Sequence, residues 1–322
     1  MGISLLQASE VVEGRTWPRA AGLFLITVIL AISSAGVLVA FPFLLLTMVL
    51  GLRRLPATVA ALLAVLVAVG VPVEEGVWYL ERGWAAVLAG WFVVLTMRWP
   101  QSRFFPRALG AVTATGAVVG LLLMFRPGTW AMVSWIITDG MMQSLSLMDQ
   151  MVTALDPEAP ISLADLNWAF EATALRGRLF PALLGLSSLS GLAVAWWAYM
   201  RLAVGNRKAL GPLRDFRFND HLVWFFLVGL ALIVLGPGEG WTSAGSNAVM
   251  FMGGLYAVRG AAVLLFLNGG VTGLSILFFV VGLLVLGRVL IMGVLMGTLV
   301  VGVGDTWLDI RAKAEAIAAS KS

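Results

Sequence analysis

The chain has 322 residues, of which 60% are hydrophobic and 12% charged, with a formal net charge of +4. Soluble domains carry about 45–50% apolar and roughly 25% charged residues, so this composition excludes an ordinary soluble fold and indicates a polytopic membrane protein with segments able to cross a bilayer core of about 30 Å. The absence of cysteine excludes disulfides, iron–sulfur clusters and a thiol nucleophile, the single His221 argues against a His-rich metal site, and the basic excess in such a chain reports orientation rather than nucleic acid.

The first stretch, MGISLLQASEVVEGRTWPRA, carries Glu10 and Glu13 and lacks the basic start of a secretory signal. Met1-Gly2 meets a myristoylation pattern only if that pattern is stretched to Gln7. Residues 20–52 form one apolar run, too long for a single comfortable crossing. Its Ser33-Ser34-Ala35-Gly36 cluster and Pro42 predict a break, giving helices over about 18–36 and 39–52 that close at Arg53-Arg54. Further helices are expected over about 56–72, 83–97 and 108–125, separated by the acidic VPVEEGVWYLERG and the basic RWPQSRFFPR.

Residues 127–178 depart most from the hydrophobic pattern. Asp139, Gln143, Ser146 and Gln150 recur at helical spacing, and Met141, Leu145, Met148, Val152 and Leu155 form a second stripe. This predicts an amphipathic helix at an interface or against the bundle. It ends at the turn Asp156-Pro157-Glu158-Ala159-Pro160, after which Ser162 and Asp165 resemble a capping box. Spans resume over about 180–203, 222–236, 245–267 and 272–303. The last run is again too long for one untilted crossing, so it either kinks near Gly287-Arg288 or projects beyond the bilayer. Whether it crosses once or twice decides which side holds the C-terminus.

The fold expected is an all-α transmembrane bundle of about eight to ten spans. Residues 1–322 form a single integral membrane domain, and 127–178 are an external helical insertion within it. Lys and Arg in the short loops set its orientation. Arg53, Arg54, Arg98, Arg103, Arg107, Arg201, Arg207, Lys208, Arg214 and Arg217 fall on one side, which becomes cytoplasmic. Glu74, Glu75, Glu81, Glu239 and the acids of 127–178 fall on the other. Trp78, Trp84, Trp99, Trp130, Trp196, Trp197, Trp224, Trp241 and Trp307 stand near predicted span ends, as an interfacial belt requires.

Two charges lie inside predicted spans, Arg259 and Arg288. An arginine at mid-bilayer costs about 2.5–3.5 kcal/mol on insertion scales and faces the bundle interior or water. Both are therefore candidate ligand-binding residues for an anion or solute in an internal cavity. The alternative for each is snorkelling, or pairing with carbonyls at a helix break. Arg259 stands near the middle of 245–267, and no acid lies inside either span, so a buried ion pair needs a loop acid, for which Asp139 or Glu239 could serve. Gly293 and Gly297 form a GxxxG pair followed by Gly302 and Gly304, and Gly253, Gly254 and Gly260 repeat the theme. These are candidate helix-packing positions, because small residues let membrane helices approach closely. In GVGDTWLDIR, Gly304 reads as a left-handed helix cap and Asp305 as the return to polar solvent.

Enzyme signatures fail in turn. The sequence holds no phosphate loop, no HExxH and no GxSxG elbow. A Ser–His–Asp arrangement would have to use His221, which adjoins a basic loop without an evident nucleophile. The Met-rich stretch 141–151 reads as an adaptable apolar face rather than a soft-metal site. No catalytic residue, metal ligand or cofactor is expected.

Three stretches carry a family resemblance: FPALL…WWAYMRL from Phe180 to Leu202, LRDFRFNDHLVWFFL, and GVGDTWLDIR. Their order and content resemble the YybS-like bacterial membrane proteins, a family of multi-spanning proteins of unknown function. The resemblance implies an all-helical fold in the bacterial inner membrane. It also implies a distant similarity to substrate-binding components of energy-coupling-factor vitamin transporters.

Two functions follow as expectations. One is a non-enzymatic, transport-type subunit that binds a small solute or lipid and relies on other membrane subunits for energy, since no ATPase motif is present. The other is a structural or assembly protein that docks partners through residues 201–220 or 127–178. A cavity reached by Arg259 would favour the first, and a filled bundle the second. In either case the expected surroundings are the lipid bilayer and other membrane subunits, and no nucleic acid.

Overall fold

The computed structural model describes residues 35–51, 75–125, 174–205, 210–270 and 287–320, with isolated positions at 128, 135, 139, 142, 143, 146 and 171. Among the described residues every regular element is helical. In chain order they are α1 (Ala35–Leu50), α2 (Glu75–Arg98), α3 (Phe104–Met124), α4 (Phe180–Tyr199, prolonged by a π-helical turn at Met200–Val204), α5 (Val223–Leu235), α6 (Glu239–Leu267), α7 (Arg288–Leu308) and α8 (Ile310–Ala319). The stretches Phe104–Met124, Phe180–Val204, Glu239–Leu267 and Val289–Leu308 are long and apolar enough to cross a membrane. The fold is thus an all-α membrane bundle. The described chain divides into two compact units, one of residues 1–177 and 187–210, the other of 178–186 and 211–322.

In the first unit, α2 and α3 form a hairpin closed by a short turn, where Ser102 donates from both its backbone N–H (3.1 Å) and its hydroxyl (2.9 Å) to the Trp99 carbonyl. Its core contains the fully buried Leu46, Leu88, Phe92, Ala108 and Leu192. Phe92 meets Phe104 and Trp196 edge to face at 5.8 and 5.9 Å, a favoured aromatic geometry. The Trp84 indole donates to Ser188 at 2.9 Å. Buried threonines satisfy themselves on their own helices, as Thr96 does on Phe92 and Thr115 on Ala111.

The break expected at Ser33–Gly36 and Pro42 does not fall at the proline, because α1 runs through Pro42. Proline removes the donor that would serve the Leu38 carbonyl four residues back. That carbonyl faces Gly191 of α4, where a Cβ would stand only 3.0 Å from it. Helix α4 therefore packs closely against α1 one turn before the proline. Of the amphipathic stripe expected from residue 139, Gln143 donates to Asp139 at 3.2 Å and Ser146 to the Gln143 carbonyl at 2.8 Å, the spacing of a helix. The turn at 156–160, the Ser162–Asp165 box, residues 56–72 and residues 271–286 lie outside the described residues.

In the second unit, α5 and α6 are an antiparallel hairpin joined through residues 236–238. Gly229 and Gly245 make its seam, since a Cβ on Gly229 would stand 2.9 Å from that of Ala248 and one on Gly245 would stand 2.6 Å from the Gly229 carbonyl. Asn247 of α6 caps the start of α4: its side-chain oxygen accepts from the Ala182 N–H at 2.9 Å, and its nitrogen donates to the Arg178 carbonyl at 2.8 Å. This satisfies a donor in the first turn of α4, where intrahelical partners are missing.

Helix α7 packs along α6 in the same direction, for Leu299 lies against Gly253 while Gly302 lies against Tyr256 and Gly260. A Cβ on Gly260 would strike the Thr298 carbonyl, and one on Gly302 would strike the Tyr256 carbonyl. Only glycine at both positions allows this approach. Because α5 is antiparallel to α6 and α7 is parallel to it, the end of α7 comes to the start of α5, and positions 270 and 287 belong to opposite ends of α6.

Candidate functional site

The close contact at Gly260 and Gly302 decides where the neighbouring charges fall. Arg259 precedes the first glycine and Asp305 follows the second by less than one turn. Arg259 Nε donates to Asp305 Oδ2 at 3.0 Å, and its Nη1 to Asp220 Oδ1 at 2.6 Å. Arg311 joins from α8, with Nη2 donating to the same Asp305 Oδ2 at 3.0 Å. Arg259 is 2% exposed and Asp305 0%, whereas the Asp220 side chain is 60% exposed. The two guanidinium groups and two carboxylates of this cluster balance in charge.

Local sequence explains how each group arrives. Asp220 opens a short 3-10 turn capped by Asn219, whose side chain accepts from the His221 N–H at 3.0 Å. That cap sets Asp220 at the start of α5, on a level with Arg259. Helix α7 does not end at Gly304. It continues to Leu308, and the left-handed residue is Asp309 at φ 45°. The bend at Asp309 folds α8 back, so that Arg311 returns to Asp305 six residues behind it in sequence. Arg311 also donates through Nη1 to the Phe216 carbonyl at 3.0 Å and the Arg214 carbonyl at 3.3 Å. Arg217 pairs with Asp309 at 3.5 Å on the surface. The connector 213–220 is therefore tied at both ends to the C-terminal segment and to α6.

Aromatic rings line one side. The Arg259 guanidinium lies 5.3 Å from the Phe218 ring centroid, a cation–π distance. Phe218 and Phe226 flank Tyr256 at 5.1 and 5.9 Å. The hydroxyls of Tyr256 and Thr306 adjoin each other. Together with Asp305 Oδ1 and Arg311 Nε they are buried and reach no hydrogen-bond partner of full geometry among the described residues.

Several expectations change here. The counter-charges of Arg259 are Asp305 and Asp220, not Asp139 or Glu239. Asp305 does not return the chain to solvent. It is a fully buried residue of α7. Arg259 is also shallower than the sequence suggests, because α6 begins at Glu239 rather than near 245. Counted from Trp241, Arg259 lies 18 positions along (259 − 241), about 27 Å at 1.5 Å per residue. That is close to the thickness of the hydrocarbon core, about 30 Å. The exposed rings of Trp224 and Trp307 border the cluster's end of the unit and that of Trp241 the other, the arrangement expected of interfacial tryptophans.

Arg288 is the first residue of α7, preceded by Gly287 at φ 50°; its side chain lies outside the described residues. The structure does not bring Arg288 and Arg259 together in one described site. Of the glycines singled out for packing, Gly260 makes the backbone contact, and a Cβ on Gly253 would meet, among the described residues, only Leu299, at 4.0 Å. Gly293 and Gly297 have nothing within 4 Å of a Cβ among the described residues.

Compared with known proteins, the chain matches over residues 20–305 the family described as a predicted membrane protein (DUF2232). No curated protein and no solved structure matches. The matched region holds Asp220, Arg259 and Asp305, and Arg311 lies just beyond it. The chain belongs to this family and is an integral membrane protein.

Proposed function

We propose that the protein is a non-enzymatic membrane subunit that docks partner proteins on the connector 210–220, at the cytoplasmic face of the bacterial inner membrane. One observation carries this reading: the buried charges of the C-terminal unit are spent on holding that connector. Asp220 is bound by Arg259, and the carbonyls of Arg214 and Phe216 by Arg311. Leu213, 50% exposed, and the exposed Arg214 and Asp215 are displayed on a backbone fixed from behind. Fixing a loop in advance lowers the entropy that binding must overcome. Charge asymmetry along the chain supports the cytoplasmic placement.

The transport-type reading has its own support in the buried polar atoms of Tyr256, Thr306 and Asp305. These would bind a small polar solute, as the transport-type expectation drawn from the sequence requires. Arg259 itself, engaged by two carboxylates, supports that reading less than a free guanidinium would. Complementation of a deletion strain separates the two. On the docking reading, Leu213→Ser with Arg214→Glu abolishes complementation at unchanged protein level, while Tyr256→Phe with Thr306→Val preserves it. The opposite pattern establishes the solute reading and refutes docking at 210–220.

A further inference from the structure

The first unit treats its buried arginine in a different way. Arg107, in the second turn of α3, is 6% exposed. Its Nε donates to the Arg103 carbonyl at 3.3 Å, and its guanidinium carbon stands 4.7 Å from the centroid of the Trp196 ring. Among the described residues no acceptor takes its two terminal nitrogens and no carboxylate lies within ion-pair reach. The surroundings add positive charge. Arg103 is the N-cap of α3, no side chain caps that helix start, and its first turn holds no acid. Arg98 closes α2 one short turn away. Arg201, in the π-helical turn that prolongs α4, lies 5.2 Å over Trp197, the residue next to Trp196.

Three helix ends thus bring four arginines to one end of this unit, and the positive pole of α3 points the same way. A desolvated cation without a counter-charge is costly, and a guanidinium fork matches the geometry of a phosphate. Trp99, 54% exposed between α2 and α3, marks this end as lying at the headgroup level. Basic recesses between membrane helices on the cytoplasmic side take anionic headgroups.

We propose that Arg107, with Arg98, Arg103 and Arg201, forms a site for a phosphate-bearing anion, Arg107 gripping the phosphate and the others neutralising its surroundings. The phosphate comes from an anionic phospholipid headgroup or from a free phosphate, and the test tells these apart. The full-length protein is purified in neutral detergent, and binding of phosphatidylglycerol, phosphatidylcholine and inorganic phosphate is measured by native mass spectrometry and thermal shift. Arg107→Met keeps the stem against Trp196 and removes the charge. Its affinity for the bound anion is expected to fall about tenfold or more, the worth of one charged hydrogen-bonded contact. Arg98→Gln with Arg201→Gln alters only exposed positions, so it reports on the site even if Arg107→Met fails to fold, and it should weaken binding several-fold. Phosphatidylglycerol binding that is lost in these variants supports a lipid site, and loss confined to inorganic phosphate supports a free-phosphate site. If both probes bind the wild type and the variants alike, or if phosphatidylcholine binds as well as phosphatidylglycerol, the proposal is overturned.

Discussion

Removing Asp305 should damage the second unit more than removing the arginine it holds. Asp305 is fully buried, and its Oδ2 accepts two charge-assisted hydrogen bonds, each of 3.0 Å, from Arg259 and Arg311. In Asp305→Leu, Arg311 keeps its two carbonyls, but the only carboxylate left to Arg259 among the described residues is Asp220, which is 60% exposed. An exposed partner is worth little, so a nearly unpaired guanidinium stays buried, at a cost of about 3–5 kcal/mol. In Arg259→Leu, Asp305 still has Arg311 and Asp220 has water, so the loss is closer to one charged hydrogen bond, about 1.5–3 kcal/mol.

The double variant removes the buried guanidinium along with its missing partner. It should therefore be less destabilised than the sum of the single changes by at least about 1.5 kcal/mol. Unfolding of the four proteins in mixed micelles, followed by tryptophan fluorescence, measures the cycle. Additivity to within about 0.5 kcal/mol would mean that the two side chains do not interact in the folded protein, and the account of the cluster would be wrong. An Arg259→Leu protein at least as stable as wild type would point the same way, since it would mark Arg259 as an uncompensated charge held for a ligand.

Other consequences are separate tests. Gly260→Ala or Gly302→Ala drives a Cβ into a facing carbonyl, so each should lower the thermal midpoint strongly, whereas Gly293→Ala and Gly297→Ala, open among the described residues, should change it little. Asn247→Leu strips the cap from the start of α4 and should cost about 1–3 kcal/mol, because it leaves the Ala182 N–H without its partner; equal stability would remove that role. The direction of α7 relative to α6 puts the connector and the C-terminal helix at the same end, so Leu213→Cys and Ser320→Cys should resist an impermeant thiol reagent in intact cells while Gly238→Cys reacts. Opposite labelling of positions 213 and 320 would contradict the parallel packing, and labelling of both with protection of 238 would invert the orientation drawn from the basic loops.

How far the sequence reaches depends on the range over which each signal acts. Long apolar runs are local, so α3, α4, α6 and α7 were legible from composition. Helix ends were less so. Pro42 reads as a breaker when only its own helix is considered, yet α1 runs through it, packed at Leu38 against Gly191, 149 positions from the proline (191 − 42) on another element. The span expected from about 245 begins at Glu239 instead, and Asn247 and Gly245 near its start face α4 and α5. Interhelical partners, not propensity, extend that helix by two turns and move Arg259 towards the interface.

The ion cluster was half legible. A buried arginine requires an acceptor, and that much follows from Arg259 alone. Its partner was hidden because GVGD reads as a helix end: glycine before aspartate is a soluble-protein stop signal. In a membrane helix the same glycine serves close packing, and the stop comes at Asp309. Once α7 is carried through to Leu308, Thr298, Gly302 and Asp305 fall at i, i+4 and i+7, one face of a helix. Thr298 and Asp305 are both buried on that face, and Gly302 is the contact point with α6. An acid on the packing face of one apolar helix and an arginine on that of another would each be costly alone. Their pairing follows once both faces are assigned, and what local sequence could not supply was the glycine contact that sets the two helices in register.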